Sequence, residues 1–455
     1  MIKRPTFHWL MLLALPMAPG LVQSAGTGGL IDGGIDTITE QVERRAEALV
    51  ERKMTERTRE RIVNADELPE QLQRQLSELL PVRTRNGDTA FYEARQIDGS
   101  RAVARQWLIT ATEGELDLLR RPSVTILEQQ KLEGLGLTVV RFRVRPEMDS
   151  REALQEFLPE LSERLDRNHI YRPQSRSSSS VSKNGAPAVS SVCTDSVRIG
   201  MVDTAISNEH PAFSQAEIVQ KPFLAVENHT GELAAPRAHG TAVASVLVGA
   251  STPQTQPRLP GATLFNASVF YEGSEATSGA TLAHLLEGLN WLAKQNTSVI
   301  NISLTGPDNR ILAAAIKSLQ QKGPLLVAAV GNEGPAAPPL YPAAYEGVIG
   351  VTAVDNSRAL YRWANRGEHV TFAARGVDVP VAHPNGGQIQ DSGTSLAAPV
   401  VTALLACSLP RWGKEQALEA LIDNAEDLGD EGRDPSFGHG FLDDQSERFR
   451  NQPAG

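Results

Sequence analysis

The sequence predicts an α/β protein in which a doubly wound, mostly parallel sheet follows a small α+β domain. Two observations predict the large domain, residues 192–450. Apolar stretches such as SVRIGMVD, SVINISL and PLLVAAVGN alternate with helical stretches such as TLAHLLEGLNWLAKQ. Near-continuous apolar runs such as Val327 to Val330 are typical of parallel strands that are covered on both faces.

A third observation predicts the smaller domain, residues 101–173. RQWLITAT and LTVVRFRV indicate strands, GELDLLRR and SREALQEFLPELSERL indicate helices, and RNHIYRP indicates one more short strand. This alternation is typical of a small α+β sandwich. The serine-rich residues 174–191 have little to bury and predict a flexible linker, which is where proteases commonly cut.

Residues 1–24 have the composition of a signal peptide: a basic start, an apolar run and small residues before Ala25. A membrane anchor is the alternative, but Pro16 and Gly20 cut the run short of the roughly 20 residues that a spanning helix needs. We therefore expect export, with cleavage near Ser24 or Ala25, to a periplasm or to the outside of the cell. No later segment is expected to be long and apolar enough to span a membrane.

Residues 25–100 are expected to form a charged helical segment, because they are rich in Glu, Arg, Gln and Leu. This segment is either a solvated spacer or a helix that binds a partner. The chain has 455 residues, which predicts two or three folded units, and its formal net charge is −10. That balance provides no basic field for nucleic acid or for an anionic membrane.

Three residues of the large domain carry candidate catalytic chemistry. Asp203 ends the first strand, His239 lies just before a helix of small residues, and Ser395 opens the helix in DSGTSLAAP. Each alone has a structural explanation, such as a helix cap or a core histidine. All three nevertheless fall at the carboxyl edge of the predicted sheet, where sites form in such folds.

These residue types together indicate nucleophilic catalysis. A serine hydroxyl needs a base to take its proton, and the base works best when a carboxylate fixes its tautomer. Asn332, just past the strand end in AAVGNEGP, is placed to donate an amide hydrogen to an oxyanion.

The order Asp, His, Ser within MVDTAISNEHP, HGTAVAS, INISLTG, AAVGNEG, YPAA and GTSLAAP resembles the subtilisin-like serine peptidases, the subtilases. The resemblance covers residues 193 to about 443. It implies an acyl-enzyme mechanism on protein or peptide substrates, with Asp203, His239 and Ser395 as the triad and Asn332 in the oxyanion hole.

The resemblance also implies where substrate binds. The strand that carries Asn301, Ser303, Leu304 and Thr305 would pair with an extended substrate peptide. The stretch VAAVGNEGP, with Ala329 and Gly331, would line the facing side of the primary pocket.

This chain departs from the family pattern at three places. Ala205 and Thr305 stand where the family usually has glycine, and either would be strained if its φ were positive. The usual APG is Ala374-Arg375-Gly376 here. These departures affect substrate fit and pocket shape more than the triad.

Residues 101–173 resemble a subtilase propeptide, which assists folding and inhibits the enzyme until it is cut off. A permanent accessory domain is the alternative. Self-processing is expected between Tyr171 and Ser191, and until that cut the propeptide would act as an intramolecular inhibitor.

Cys193 and Cys407 are the only cysteines. Cys407 lies about 18 Å along the helix that starts near Ser395, and Cys193 precedes the strand that ends at Asp203, so both reach the lower face of the sheet. We expect a Cys193–Cys407 disulfide, with two buried free thiols as the alternative.

No cofactor is expected. Calcium is frequent in subtilases, and the acidic stretch from Asp423 to Asp434 could hold a cation. Because its ligand spacing does not match a calcium loop, we expect a solvated loop there instead. Two other functions stay open: an α/β-hydrolase esterase, which the motif order disfavours, and a catalytically weak subtilase-like module that only binds peptides.

Overall fold

The computed structural model describes residues 79–173, 176–177, 191–226, 232–250, 257–273 and 278–444, all within one compact unit. The expected signal peptide, most of the charged segment and most of the serine-rich linker lie outside these residues.

An antiparallel sheet with two short helices forms the N-terminal domain, and its third strand bends between its neighbours. Its strands are β1 (Leu79–Arg83), β2 (Thr89–Arg95), β3 (Arg101–Thr110), β4 (Val124–Leu132), β5 (Leu137–Val144) and β6 (Leu165–Pro173). Its helices are α1 (Leu116–Leu119) and α2 (Arg151–Phe157). Its own core lies under these helices and includes Trp107, Phe142 and Leu154.

The prediction of a charged helical segment over residues 25–100 is wrong for its last part, because residues 79–95 form the β1–β2 hairpin. The turn contains Gly87 with φ +92°, a conformation that favours glycine, and β2 is rich in aromatic and β-branched residues. The helix predicted around 150–165 ends at Phe157, and β4 was not predicted. The N-terminal domain is therefore larger than residues 101–173.

The large domain contains the predicted parallel sheet, which has seven strands in the order β17-β16-β15-β13-β8-β10-β9. These strands are β8 (Arg198–Asp203), β9 (Glu217–Pro222), β10 (Thr263–Ser268), β13 (Val299–Ile302), β15 (Leu325–Ala329), β16 (Val348–Val354) and β17 (Val370–Arg375). Every neighbouring pair is parallel. The sheet is thus the α/β architecture that the apolar runs predict.

Shorter strands lie around the sheet: β7 (Arg176–Ser177), β11 (Tyr271–Glu272), β12 (Ser278–Thr281), β14 (Leu304–Thr305), β18 (Val379–Ala382) and β19 (Gln388–Ser392). Four helices flank it: α3 (Ala238–Leu247), α4 (Leu282–Leu292), α5 (Arg310–Lys322) and α6 (Thr394–Asn424). Two apolar cores cover the two faces of the sheet. The core on the α4 and α5 side also includes Leu108, Leu132 and Val139 of the N-terminal domain.

Among the described residues, helix α6 is the one helix long and apolar enough to cross a membrane by length and composition. The expectation that no later segment meets this criterion is therefore wrong. Most of the apolar window of α6 is buried in the large domain, and the helix is interrupted at Gly413, which has φ 74°. Its burial is that of a core helix.

Cys193 and Cys407 form a disulfide with their Cα atoms 5.8 Å apart, as the sequence predicted. The bond joins the segment before β8 to α6, and both cysteines belong to the core on the α3 and α6 side.

Candidate active site

Asp203 and His239 lie in direct contact at the carboxyl edge of the parallel sheet. Asp203 ends β8, next to the centre of the sheet, and His239 is the second residue of α3. His239 Nδ1 is 2.6 Å from Asp203 Oδ1, and both residues are buried. A carboxylate at this nitrogen orients the imidazole and leaves its other nitrogen to face the reaction.

The loop after Asp203 fixes the start of α3. The Gly240 amide donates to Thr204 Oγ1 at 2.7 Å, so the two segments that carry Asp203 and His239 are joined directly. A Cβ at Gly240 would lie 2.4 Å from the Thr204 carbonyl oxygen. Only glycine therefore permits this approach, which explains HGT in the motif.

Ser395 is the second residue of α6 and is fully buried. The residue before the helix is Gly393, so Ser395 itself is not the helix cap. The backbone N–H groups in the first turn of a helix have no partners within the helix. They favour a negative charge nearby, and Ser395 lies in this first turn.

Asn332 lies beyond the end of β15, beside the start of α6. Its Oδ1 accepts hydrogen bonds from the Thr394 amide and from Thr394 Oγ1, both at 3.1 Å. Because the oxygen of the side-chain amide is held, its orientation is fixed. Thr394 was not singled out from the sequence, although its place directly before Ser395 was the available signal.

The strand that the resemblance assigned to substrate binding has two different parts. Asn301 faces the interior, where it donates from Nδ2 to Ser303 Oγ at 2.8 Å and accepts from Thr402 Oγ1 at 3.1 Å. Ser303 Oγ donates in turn to the Ser395 carbonyl oxygen at 3.1 Å. This network connects the strand to the helix that carries Ser395.

Leu304 and Thr305 form β14, at the edge of the cleft. They pair antiparallel with Pro173 and Arg172 of β6, respectively. On its other side, β6 pairs with β12, where Ala280 is opposite Tyr171. The end of the N-terminal domain is therefore an extended strand held between two edges of the large domain, and β12 was not recognised as a cleft wall from the sequence.

Residues 176–177 pair with a different part of the large domain. Residues 176–177 form β7, which pairs antiparallel with the end of β19: Ser177 is opposite Asp391, and Arg176 is opposite Ser392. These two partners lie directly before the Gly393-Thr394-Ser395 start of α6. The described residues before and after 174–175 therefore both pair with the large domain, Arg172 and Pro173 with β14 and Arg176 and Ser177 with the end of β19.

Tyr171 is completely buried in this cleft. Its ring lies against Gly306, where a Cβ would come within 2.4 Å of Tyr171 Cδ1, and its hydroxyl donates to the Pro307 carbonyl oxygen at 3.3 Å. Burial raises the pKa of Tyr171 well above its usual value, so the hydroxyl stays a donor.

The departures from the family pattern cause no backbone strain. Among the described non-glycine residues, positive φ values occur only at Arg105, Asn296, Arg358 and Asp378, and so not at Ala205 or Thr305. Arg375 ends β17 without a positive φ.

Ala329 and Gly331 lie at the end of β15, as expected. Gly331 has φ +113°, and its amide donates to Thr394 Oγ1 at 3.2 Å. A Cβ there would lie 2.6 Å from Leu340 Cδ1, so Leu340 packs closely against this wall of the predicted primary pocket.

Asp391 is a further carboxyl beside the site that the sequence did not single out. It is buried, and its Oδ1 accepts from the Ser392 amide at 2.7 Å. Burial raises the pKa of Asp391, while the charge of His239 acts in the opposite direction.

In the part of the chain that the structure describes, no group of three or more His, Cys, Asp or Glu side chains is placed to hold a metal ion. In the acidic stretch 423–434, Asp427 accepts from the Gly432 amide and Asp434 from the Phe437 amide. These carboxylates stabilise their own loop.

The N-terminal domain also caps two helices of the large domain. Asn168 Oδ1 accepts from the Ala283 amide at the start of α4, and Asp166 Oδ2 accepts from the Arg310 amide at the start of α5, both at 3.1 Å. Asn309 Nδ2 donates to the Arg167 carbonyl oxygen at 3.0 Å. Strand β6 is thus fixed before it enters the cleft.

The fold and this site together define a subtilisin-like serine endopeptidase. The model of the subtilase family, Peptidase_S8, matches residues 194–440, and the chain belongs to this family.

Individual relatives agree with this assignment. The minor extracellular protease Epr of Bacillus subtilis (strain 168) is 36% identical over 165 residues, which are 35% of this chain and 26% of Epr. The major intracellular serine protease of Bacillus subtilis (strain 168) is 30% identical over 244 residues, 50% of this chain and 73% of that protease. The chain therefore spans about a quarter of Epr but most of the second relative.

A solved structure agrees over a longer part of the chain. Fervidolysin from Fervidobacterium pennivorans, a keratinolytic enzyme related to subtilisin, has a TM-score of 0.62 and 18% identity, with coverage of 83% of this chain and 65% of fervidolysin. At this identity the likeness concerns the fold.

Proposed function

We propose that the chain is an exported serine endopeptidase made as a precursor that cuts itself. Ser395 attacks the scissile carbonyl carbon while His239 takes its proton, Asp203 orients His239, and Asn332 with the Ser395 amide stabilises the oxyanion. His239 then gives the proton to the leaving amine, and water releases the acyl-enzyme.

The proposal rests on the path of the chain through the cleft. Residues 170–173 pair with β12 and β14 on one side of Ser395, and residues 176–177 pair with β19 on the other. Strand addition of this kind is how extended peptides bind at sheet edges. The scissile bond is therefore one of the three between Pro173 and Arg176, and we assign the middle one, Gln174–Ser175.

The N-terminal domain would inhibit the enzyme until it leaves, since β6 fills the cleft that substrates need. The substrates would be extended segments of proteins or peptides. Export is supported by the signal-like residues 1–24 and by the likeness to Epr, which is named as an extracellular protease. The disulfide also favours an oxidising compartment.

Intact mass over time tests self-processing. The chain without residues 1–24 is compared with Ser395→Ala and with Ser408→Ala, a buried serine on the same helix that donates to the Leu404 carbonyl oxygen. We expect wild type and Ser408→Ala to yield a fragment that begins at Ser175, while Ser395→Ala stays whole.

A further variant tests the assigned bond. Ser175→Pro makes that bond a tertiary amide without an N–H and should block cleavage there. If wild type stays whole and also fails to hydrolyse an added peptide, the proposal is wrong, and a module that binds peptides without cutting them becomes the better explanation.

A further inference from the structure

The β1–β2 hairpin, residues 79–95, lies outside both the family match and the segment that resembles a propeptide. It adds two strands to the outer side of the sheet that enters the cleft, in the order β1-β2-β3-β6-β12-β11. It also contacts the large domain directly.

Backbone pairing makes the first contact. Thr84, just after β1, forms an antiparallel bridge with Leu233, and the Arg85 amide donates to the Glu232 carbonyl oxygen at 2.9 Å. The hairpin thereby pairs with a segment of the large domain that also bonds β11, since the Glu272 amide donates to the Ala234 carbonyl oxygen.

An apolar cluster makes the second contact. Val82 of β1 packs with Leu224, Leu233 and Tyr271 of the large domain, and all four side chains are buried. Phe91 of β2 meets the Tyr271 ring edge to face, with centroids 5.3 Å apart and an interplanar angle of 89°. Such aromatic pairs stabilise beyond the apolar area that they bury.

A buried carboxylate makes the third contact. Glu93 of β2 is 1% exposed, and its Oε1 accepts from the Tyr271 hydroxyl at 2.9 Å. Its other oxygen lies 3.6 Å from Arg172 Nη2 and 3.8 Å from Arg101 Nη1. Glu93 therefore connects the hairpin, the wall of the large domain and the strand that fills the cleft.

We propose that the surface formed by Leu224, Leu233 and Tyr271 is a second binding site of the peptidase, adjoining the β12 wall of its substrate cleft, and that its occupant is the hairpin 79–95. This inference rests on the proposed self-processing. After the cut, the N-terminal domain is held without a covalent bond, and its departure requires that the hairpin and β6 both separate from the large domain. The hairpin contact sets how long the cut enzyme stays inhibited.

The experiment uses the chain without residues 1–24 and measures two times. Intact mass gives the time at which the chain is cut, and hydrolysis of a chromogenic peptide gives the time at which activity appears. The delay between them reports the departure of the N-terminal domain.

Two variants weaken the contact from opposite sides. Phe91→Ala changes the hairpin and Leu233→Ala changes the large domain, and each is expected to shorten the delay about tenfold without slowing the cut. Tyr271→Phe keeps the packing and removes only the hydroxyl, and should shorten the delay about threefold to tenfold. Ile97→Ala, at a 92% exposed side chain, is the control and should leave the delay unchanged.

A delay that stays at the wild-type value in Leu233→Ala and Tyr271→Phe, with normal cutting, would overturn the second binding site. If Phe91→Ala does not fold, the conservative Tyr271→Phe still decides, because its fold is tested by the cut itself. Absence of cutting in wild type contradicts the proposed function instead, so the two failures are distinguishable.

Discussion

Thr394 holds the side-chain oxygen of Asn332 with two hydrogen bonds, from its amide nitrogen and from its hydroxyl, both 3.1 Å long. The residue before the proposed nucleophile therefore fixes the side-chain amide that is proposed to bind the oxyanion. Helix α6 positions both halves of the chemistry, since its first residue orients Asn332 and its second is Ser395.

Asn332→Ala should lower kcat by about 10²–10³ with a small change in KM, because the lost hydrogen bond forms only when charge develops on the carbonyl oxygen. Steady-state hydrolysis of a peptide measures both constants. Asn332→Asp is the matched variant: it keeps the shape but removes the donor, and a loss as large as that of Asn332→Ala is expected. A loss below tenfold in both would contradict the assignment.

Thr394→Val should lower kcat by about tenfold, since it keeps the branched shape but removes the hydroxyl that orients Asn332. The expected change lies in kcat and not in KM, which separates orientation of the oxyanion donor from a general loss of binding. If Asn332→Ala is already present, adding Thr394→Val should have little further effect. Full additivity of the two changes in kcat would argue against the coupling.

Ser303→Ala should reduce the free energy of unfolding by about 1–3 kcal/mol, because it leaves Asn301 Nδ2 buried without its acceptor. Denaturant titration in a Ser395→Ala background measures this without self-digestion. Ser357→Ala, at an exposed loop serine that donates to Asp355, is the control and should change stability by less than about 0.5 kcal/mol. Equal effects of the two substitutions would show that the Asn301 network adds no stability.

Replacing both Cys193 and Cys407 by serine should destabilise the protein by about 2–5 kcal/mol, since the bond closes a sequence separation of 214 residues. Both cysteines follow the assigned processing bond, so the disulfide stays within the peptidase after the cut. Reductant should lower the free energy of unfolding of the intact Ser395→Ala chain by the same amount as the double substitution does, as measured by denaturant unfolding with and without reductant. A midpoint that reductant does not move would contradict a stabilising role.

The sequence predicts the residues whose side chains have a specific chemical role and whose place at a strand end or helix start can be recognised. Asp203, His239, Asn332 and Ser395 follow strand ends or helix starts, so the edge at which they meet follows from the alternation of elements. The parts that could not be predicted depend on pairing between distant segments. Local composition does not indicate that Leu304 meets Pro173, or that Ser177 meets Asp391.

The hairpin shows the same limit in the N-terminal domain. Residues 67–78 before it have a charged, helix-like composition, and the change to strand at Leu79 is stabilised by contacts with Leu233 and Tyr271. Strand β4 was missed because all but one of its side chains are exposed or only partly buried and show no clear alternation. Contacts with distant parts of the chain, and not local composition, therefore determine that β1 and β4 are strands.

Glu287 gives the complex of the two domains a dependence on pH. It lies on α4, in the helix that the N-terminal domain covers, where burial and the charge of Glu128 raise the pKa of its carboxyl from 4.5 to about 7. Arg141 and Lys221 act in the opposite direction. Once the N-terminal domain has left, Glu287 faces solvent, and its pKa returns toward the ordinary value.

The direction of the pH dependence follows from the raised pKa of Glu287. A carboxyl whose pKa is higher in the complex binds a proton more tightly there, so its contribution is fully present below about pH 4.5 and is lost as the pH rises to about 7. The cut precursor should therefore release its N-terminal domain faster at pH 8 than at pH 5. For a pKa shift of this size in Glu287, the affinity of the cut N-terminal domain for the large domain should fall by about 10²-fold between pH 5 and pH 8.

Size-exclusion chromatography can measure this release apart from catalysis. The cut complex is moved to pH 5 or pH 8 and followed until the N-terminal fragment separates, with a serine-directed reagent present throughout to inactivate each enzyme molecule as it is freed. Glu287→Gln removes the titrating group and should abolish most of the difference between the two pH values, while Glu156→Gln, on the exposed face of α2, should keep it. A pH dependence that survives in Glu287→Gln at its wild-type size would assign the effect to another group.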